Sequence, residues 1–245
     1  MIITTSWDDG AKADFKIAQL LNKYGLKGTF YIPKTCDLKT LTDLEVKELD
    51  EVHEVGAHDF NHDYLTQLDL NELKNQISGA REYLENLLGK QIKMFSYPRG
   101  EYNQQVKEVV KENSFLGART VKEFCFTQPD DFFEIETTIH IYPFPFRKRD
   151  ANHYHLTRFL FQPLQRKFTK VLKIGLPFNS FFNWLNLAEN LFDYTKEKDG
   201  VFHLWGHSWE LDRYDMWNDL EELFRHIRQH ENIISLTNSE VLEKK

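Results

Sequence analysis

From residue 2 to about 120, short apolar runs alternate with amphipathic helical segments, the pattern of a parallel sheet built from βα units. Ile2 to Trp7 predicts a strand. Ala11 to Tyr24 predicts a helix, with Phe15, Ile17, Ala18, Leu20 and Leu21 at helical spacing and a stop at Gly25. Thr29 to Ile32 predicts a second strand, ended by Pro33. Thr42 with Glu45, and Asp69 with Glu72, have the form of capping boxes, in which paired side chains satisfy orphan N–H groups at a helix start. They open helices predicted at 43–53 and about 70–88, the latter with Leu70, Leu73, Ile77, Ala80, Leu84, Leu87 and Leu88 on one face and an end at Gly89. Strand-like runs follow at 92–97, 115–120 and 135–142.

The rhythm breaks over 143–198, which opens on Pro143-Phe-Pro-Phe-Arg-Lys-Arg149 and then returns to helical patterns. From Gly200 it resumes: Val201 to Trp205 as a strand, a polar turn carrying His207, a helix over 215–230 and a last strand, Ile233 to Leu236. Aspartates, histidines and glycines gather where strands end. This predicts an α/β fold, a distorted (β/α) barrel of about seven parallel strands, as one domain over 1–245 with a helical insertion at 143–198. An open doubly wound sheet would read almost the same, but no Gly-rich phosphate loop follows the first strand.

Composition adds limits. Of 245 residues 41% are hydrophobic and 28% charged, enough for a core beneath a polar surface. The net charge of -7 argues against a nucleic-acid partner, which demands a basic footprint. Cys36 and Cys125 are too few for a disulfide framework and are expected to be buried thiols. With no basic, apolar leader at the start, the expected location is cytoplasmic.

Asp8-Asp9-Gly10 sits at the end of the first strand, where two adjacent carboxylates repel unless a cation or proton intervenes. One would bind a metal and the other act as base; an N-cap for the next helix is the competing reading. His58-Asp-Phe-Asn-His62 follows a glycine-bearing strand end, and histidines at i and i+4 share one side of a helical turn. His203/His207 and His226/His230 repeat that spacing, the last pair on a charged helix face. A carboxylate with two histidines leaves coordination positions open, which suits a catalytic divalent metal, zinc first and iron next. Phe95-Ser-Tyr-Pro-Arg-Gly100 offers a turn whose N–H groups would face an oxyanion, and His207 a titratable acid.

Together these four stretches resemble the NodB-type polysaccharide deacetylases, carbohydrate esterase family 4, over nearly the whole chain. The resemblance implies Asp8 as general base, Asp9, His58 and His62 as metal ligands, the N–H of Arg99 after Pro98 as oxyanion donor, and His207 as general acid. The activity it implies is hydrolysis of an N-acyl group, acetyl first, from an amino sugar of a polysaccharide, oligosaccharide or lipid-linked glycan. Many members carry an arginine, which orients the base, where this chain has Ser96; Arg119 is favoured over Arg99 as its substitute. No Asp-Trp fourth motif is visible, and Glu210 is the expected replacement that orients His207. His140, Tyr97, Trp205 and Trp209 are expected to touch substrate, the flat rings by stacking on sugar faces.

Residues 147–173 carry Arg147, Lys148, Arg149, Arg158, Arg166, Lys167, Lys170 and Lys173 against a single acid, Asp150. Interleaved with Phe146, Tyr154, Phe159, Phe161 and Phe168, they suggest either a helical lid with solvated charges or a seat on an anionic membrane at the inner leaflet. Two other functions remain open at this point: a glycan-binding protein that has lost catalysis, motivated by Ser96 and the missing fourth motif, and a non-haem iron oxygenase using the same ligands.

Overall fold

The computed structural model describes residues 1–147 and 161–244; Lys148, Arg149, Asp150, Tyr154, Arg158 and Phe159 of the insertion lie outside the described residues. Seven strands run parallel in the order β5-β4-β3-β2-β1-β7-β6, where β1 is Ile2–Asp8, β2 Thr29–Ile32, β3 Glu54–Ala57, β4 Met94–Ser96, β5 Gly117–Arg119, β6 Ile139–His140 and β7 Val201–Gly206. β8 (Ile234–Ser235) pairs with Ile2 and Ile3 below the point where β2 begins. The two edges meet through the lead-in to β6: Ile135 bridges Arg119, its N–H donating to Ala118 O and its O accepting from Thr120 N–H. The sheet is thus the distorted barrel that the alternating pattern predicts.

The two-residue period of a strand sorts side chains between two cores. Outward residues such as Ile3, Trp7, Phe30, Phe95, Phe202 and Leu204 join one large apolar cluster with the helices. Those helices are α1 (Asp14–Lys23), α2 (Asp43–Asp50), α3 (Leu70–Leu88), α4 (Gln104–Glu112), α5 (Gln162–Ile174), α6 (Trp184–Glu197), α7 (Ser208–Tyr214), α8 (Trp217–Arg228) and α9 (Asn238–Glu243). Inward residues are mixed: Tyr31, Met94, Ile135 and Leu242 form a small apolar cluster, while Thr4, Ser6 and His203 meet Asn238 at the head of α9. Asp8, Ser96, Arg119, His140 and Trp205 share this inward parity one layer higher, at the mouth.

Both capping boxes form, at Thr42/Glu45 and Asp69/Glu72, and a third at Thr237/Glu240 opens α9, which the hydrophobic pattern alone did not predict. The helix expected over 215–230 forms as α8, but the polar turn expected before it holds a further helix, α7, which Asp215 ends with a left-handed backbone (φ 54). α1 starts at Asp14, later than expected, because Ala11 bridges Thr40. The cysteines are free but half-buried, not buried as expected, since both sit in loops at the barrel surface. Among the described residues no helix is long and apolar enough to cross a membrane.

Candidate active site

The strand ends converge on a cavity of about 380 Å³ whose wall includes Asp8, Asp9, His58, His62, His140 and His207. Asp8, the last inward residue of β1, is 3% exposed. Its Oδ2 accepts from Nη2 of Arg119, which is fully buried and also donates to Ser96 Oγ at 2.5 Å. Arg119 lies 4.8 Å from the Trp205 ring centroid and 5.4 Å from that of Tyr31, so its charge is held between aromatic faces. Burial alone would raise the Asp8 pKa, but Arg119, with His58 and His207, outweighs it and holds the carboxyl below its ordinary range. Asp8 is therefore ionised although buried. Arg99 does not reach it: its guanidinium lies 4.3 Å from the Tyr64 ring centroid at the cavity wall.

Asp9 takes the opposite part. Its left-handed backbone (φ 77) swings the carboxylate towards His58 and His62, whose Nε2 atoms lie 3.5 and 3.3 Å from Oδ1. One ligand atom from each of the three residues lies within 4.8 Å of the others. Asp9 Oδ1 is buried without a hydrogen-bond partner, and His58 Nδ1 lies 2.9 Å from Ser96 O, which leaves the Nε2 lone pair facing the carboxylate. An orphaned carboxylate oxygen between two imidazoles suits a divalent cation. The histidines arrive by a loop and not by the helical turn expected from their spacing: Asp59 and His62 both have φ 59, and Asp59 accepts from the N–H groups of His62 and Asp63. Burial pushes the Asp59 carboxyl up to about 7, against the pull of His58 and those N–H groups.

His207 follows β7, with Nδ1 2.7 Å from Glu210 Oε2 and Nε2 3.8 Å from Asp9 Oδ2. Burial lowers its pKa, but Glu210 and then the two aspartates more than offset this and raise it to about 9. Glu210 also meets His140 Nε2 at 3.0 Å; burial opposes its ionisation, yet the two histidines hold it down at about 2. His140 stacks on Trp205 at 3.9 Å between centroids. Its backbone N–H donates to Glu123, a half-buried acid paired with Lys167 of α5, so the insertion is pinned to the site wall. Ser208 donates to the buried Asp14 of α1, which fixes the start of α7 beside His207.

Residues 2–118 match the polysaccharide deacetylase family model. This first part of the chain is thus similar to the polysaccharide deacetylases. It is 28% identical over 122 residues, 49% of this chain and 45% of the relative, to the peptidoglycan-N-acetylmuramic acid deacetylase of Bacillus subtilis. It is 26% identical over 116 residues to the peptidoglycan-N-acetylglucosamine deacetylase of Bacillus cereus, covering 46% of this chain and 42% of that one. The chain thus spans less than half the length of these curated relatives. A crystal structure from Mycobacterium smegmatis assigned to the polysaccharide deacetylases superposes over 99% of this chain and 88% of its own, with a TM-score of 0.69 at 13% identity.

On this deacetylase fold several expected contacts change. Tyr97 does not face the cavity: it points outward from the barrel, 1% exposed, stacked on Tyr102 at 4.5 Å with its hydroxyl donating to Phe133 O. Pro98 is also buried, and the cavity wall at this turn is made by Arg99 (φ 58) and Gly100 (φ 70). Glu210 does not line the cavity as a substrate contact, because its carboxylate is spent on His140 and His207. Trp209 lines it, and its indole N–H donates to Asp9 Oδ2 at 2.9 Å. Trp205 lines it too, with a buried Nε1 lacking a partner. His203, one layer below, meets Ser6 Oγ at 2.6 Å, and His226 meets Asp193 of α6 at 3.1 Å; neither reaches the cavity. Glu123 and Asp14 gave no signal in the sequence, since each takes its meaning from a partner more than 40 residues away.

Proposed function

We propose that the chain hydrolyses the N-acyl group, acetyl first, of an amino sugar in a glycan. The observation that carries this is the division of labour between neighbouring carboxylates: Asp8 is held ionised by Arg119, while Asp9 faces His58 and His62. Asp9, His58 and His62 would hold a divalent cation, zinc by the preference of an N/O donor set, which when bound polarises the acyl carbonyl and acidifies water. Asp8 Oδ1, buried without a partner, takes the proton from the attacking water. The Arg99 N–H, as the family resemblance implies, faces the developing oxyanion. His207, kept protonated by Glu210, gives its proton to the nitrogen as the C–N bond breaks, leaving a free amine and a carboxylate.

The cavity wall also bears on the substrate. Of its acids Asp8 is engaged by Arg119 and Glu123 by Lys167, and Asp9 faces the two histidines, whereas Arg99 and Arg166 line it without a carboxylate partner among the described residues. A sugar carrying a carboxylate or phosphate suits these two guanidinium groups better than a neutral one. Against the reading of a glycan binder without catalysis stands the contact of Arg119 with Asp8.

Release of primary amine from N-acetylated amino-sugar oligomers, with and without an anionic substituent, tests the proposal. Asp8→Asn is expected to keep stoichiometric zinc yet lose at least about a hundredfold in kcat. Near-normal turnover by that variant would remove Asp8 from the role of base.

A further inference from the structure

Among the described residues, six of the eleven exposed large apolar side chains gather around one helix and the segments beside it: Phe146, Phe161, Phe168, Leu172, Phe178 and Phe182 are 39 to 76% exposed. Their rings form two clusters: Phe146 packs on Phe161 at 5.1 Å, while Phe168 packs on Phe181 at 5.4 Å and Phe178 on Phe181 and Phe182 at 6.1 and 5.7 Å. A gathering of this kind marks a docking site.

Helix α5 explains how the patch is built. At 100° per residue, Phe161, Phe168 and Leu172 fall on one stripe, Pro163, Lys167 and Val171 on a buried one, and Arg166, Lys170 and Lys173 on a third. No acid occurs between 162 and 174, although the chain carries a net charge of -7. Arg166, on the basic stripe, also lines the catalytic cavity. Exposed rings and a run of cations, on separate stripes of α5 with Gln165 and Thr169 between them, match an anionic bilayer surface: the rings enter the headgroup boundary and the long basic side chains reach the phosphates. A second copy of the chain fits less well, because two basic faces brought together would repel.

We infer that the face formed by α5 and residues 177–182 docks on an anionic phospholipid surface and sets the mouth of the catalytic cavity at the membrane plane. The surface stands apart from the catalytic reading, and its test uses no turnover. The full chain is sedimented with vesicles of phosphatidylcholine alone and of phosphatidylcholine with about one third phosphatidylglycerol. Binding is expected to the anionic vesicles, at least about tenfold weaker to the neutral ones, and to fall as salt is raised. F178S/F182S, at exposed positions that leave the core intact, is expected to lose about tenfold or more in partitioning. Lys173→Glu should weaken it about fivefold or more. Thermal unfolding of each variant should match the parent. The inference is overturned by binding to neither vesicle, by equal binding to both, or by unchanged partitioning of the variants. It is overturned equally if sedimentation velocity shows a dimer that F178S/F182S converts to monomer, which would make the face a self-interface.

Discussion

Replacing Arg119 by methionine removes the one cation that faces Asp8 within the barrel and leaves most of the side-chain volume in place. Arg119 is fully buried and Asp8 3% exposed, so no solvent takes over the charge. Breaking a buried pair by removing one partner costs about 3–5 kcal/mol, because the remaining ion is stranded in a low-dielectric site. The sign with pH follows from the lowered Asp8 pKa. In the parent the pair adds stability above the ordinary carboxylate pKa of 3.8, and that contribution fades as pH falls towards the lowered value. Without Arg119, burial is opposed only by His58 and His207 and raises the Asp8 pKa, so the variant loses stability as pH rises. The acidic limb of kcat/KM moves to higher pH for the same reason, and at neutral pH the base is largely protonated, a loss of about 10²–10⁴ in rate. Urea unfolding at pH 5 and 8, with a pH–rate profile, reads both effects. Ser96 and Arg119 are paired Cα neighbours on β4 and β5, so Ser96→Arg in the Arg119→Ser background should restore part of the rate. An acidic limb that stays in place, with stability within about 1 kcal/mol of the parent, would refute the reasoning.

Glu210→Gln removes the charge that keeps His207 protonated up to about pH 9, so the alkaline limb of kcat/KM should move to lower pH while the acidic limb stays; an unmoved alkaline limb would take Glu210 out of this role. Trp209→Phe keeps the ring but deletes the N–H bonded to Asp9, and zinc affinity by competition titration should fall about 10–100-fold; equal affinity would show that Asp9 needs no such anchor. His203 is buried with its pKa depressed from 6.5 to about 3, so its neutral form adds stability above pH 6.5 that is lost progressively as pH falls towards 3. Denaturant unfolding of the metal-free chain at pH 7, 5 and 4 should show that decline, and His203→Gln should flatten it. Zinc titration of His58→Ala should show the loss of one tight site, whereas His226→Ala should leave that site intact; the reverse would transfer the metal to Asp193, His226 and His230.

The features visible in the sequence are those governed by local rules. Strand β1, helix α3 and both predicted capping boxes depend on periodicity and on side chains three residues apart. The candidate ligand positions are visible because Asp9 and His58 directly follow strands and His62 lies four residues further on. Their approach is not: the 58–62 segment closes through two left-handed residues and the Asp59 carboxylate, which an i, i+4 spacing cannot distinguish from a helical turn. Tyr97 shows the other limit. It follows the inward Ser96, so strand parity alone already turns it towards the helices, and its aromatic character said only that it would be buried somewhere. Long-range pairs such as Glu123 with Lys167 leave no local trace at all.

Strand parity also joins the site to the barrel floor. The Asn238 carboxamide oxygen accepts from Tyr31 and Ser6, and its nitrogen donates to Thr4, so the head of α9 ties β1 to β2 from inside. The Tyr31 ring lies under Arg119, and Arg119 holds Asp8. Asp8 therefore rests on a connected column of inward side chains whose lowest member, Asn238, is far from it in the sequence. Such a column serves two ends at once. It satisfies buried polar groups that would otherwise cost stability, and it excludes water from the Arg119–Asp8 pair, so that the pair keeps one geometry and a strong field. An open sheet with the same strand order would leave that column to solvent. Closure through Ile135 and the floor set by Asn238 are what allow a carboxylate to be both buried and charged at the point where the chemistry requires it.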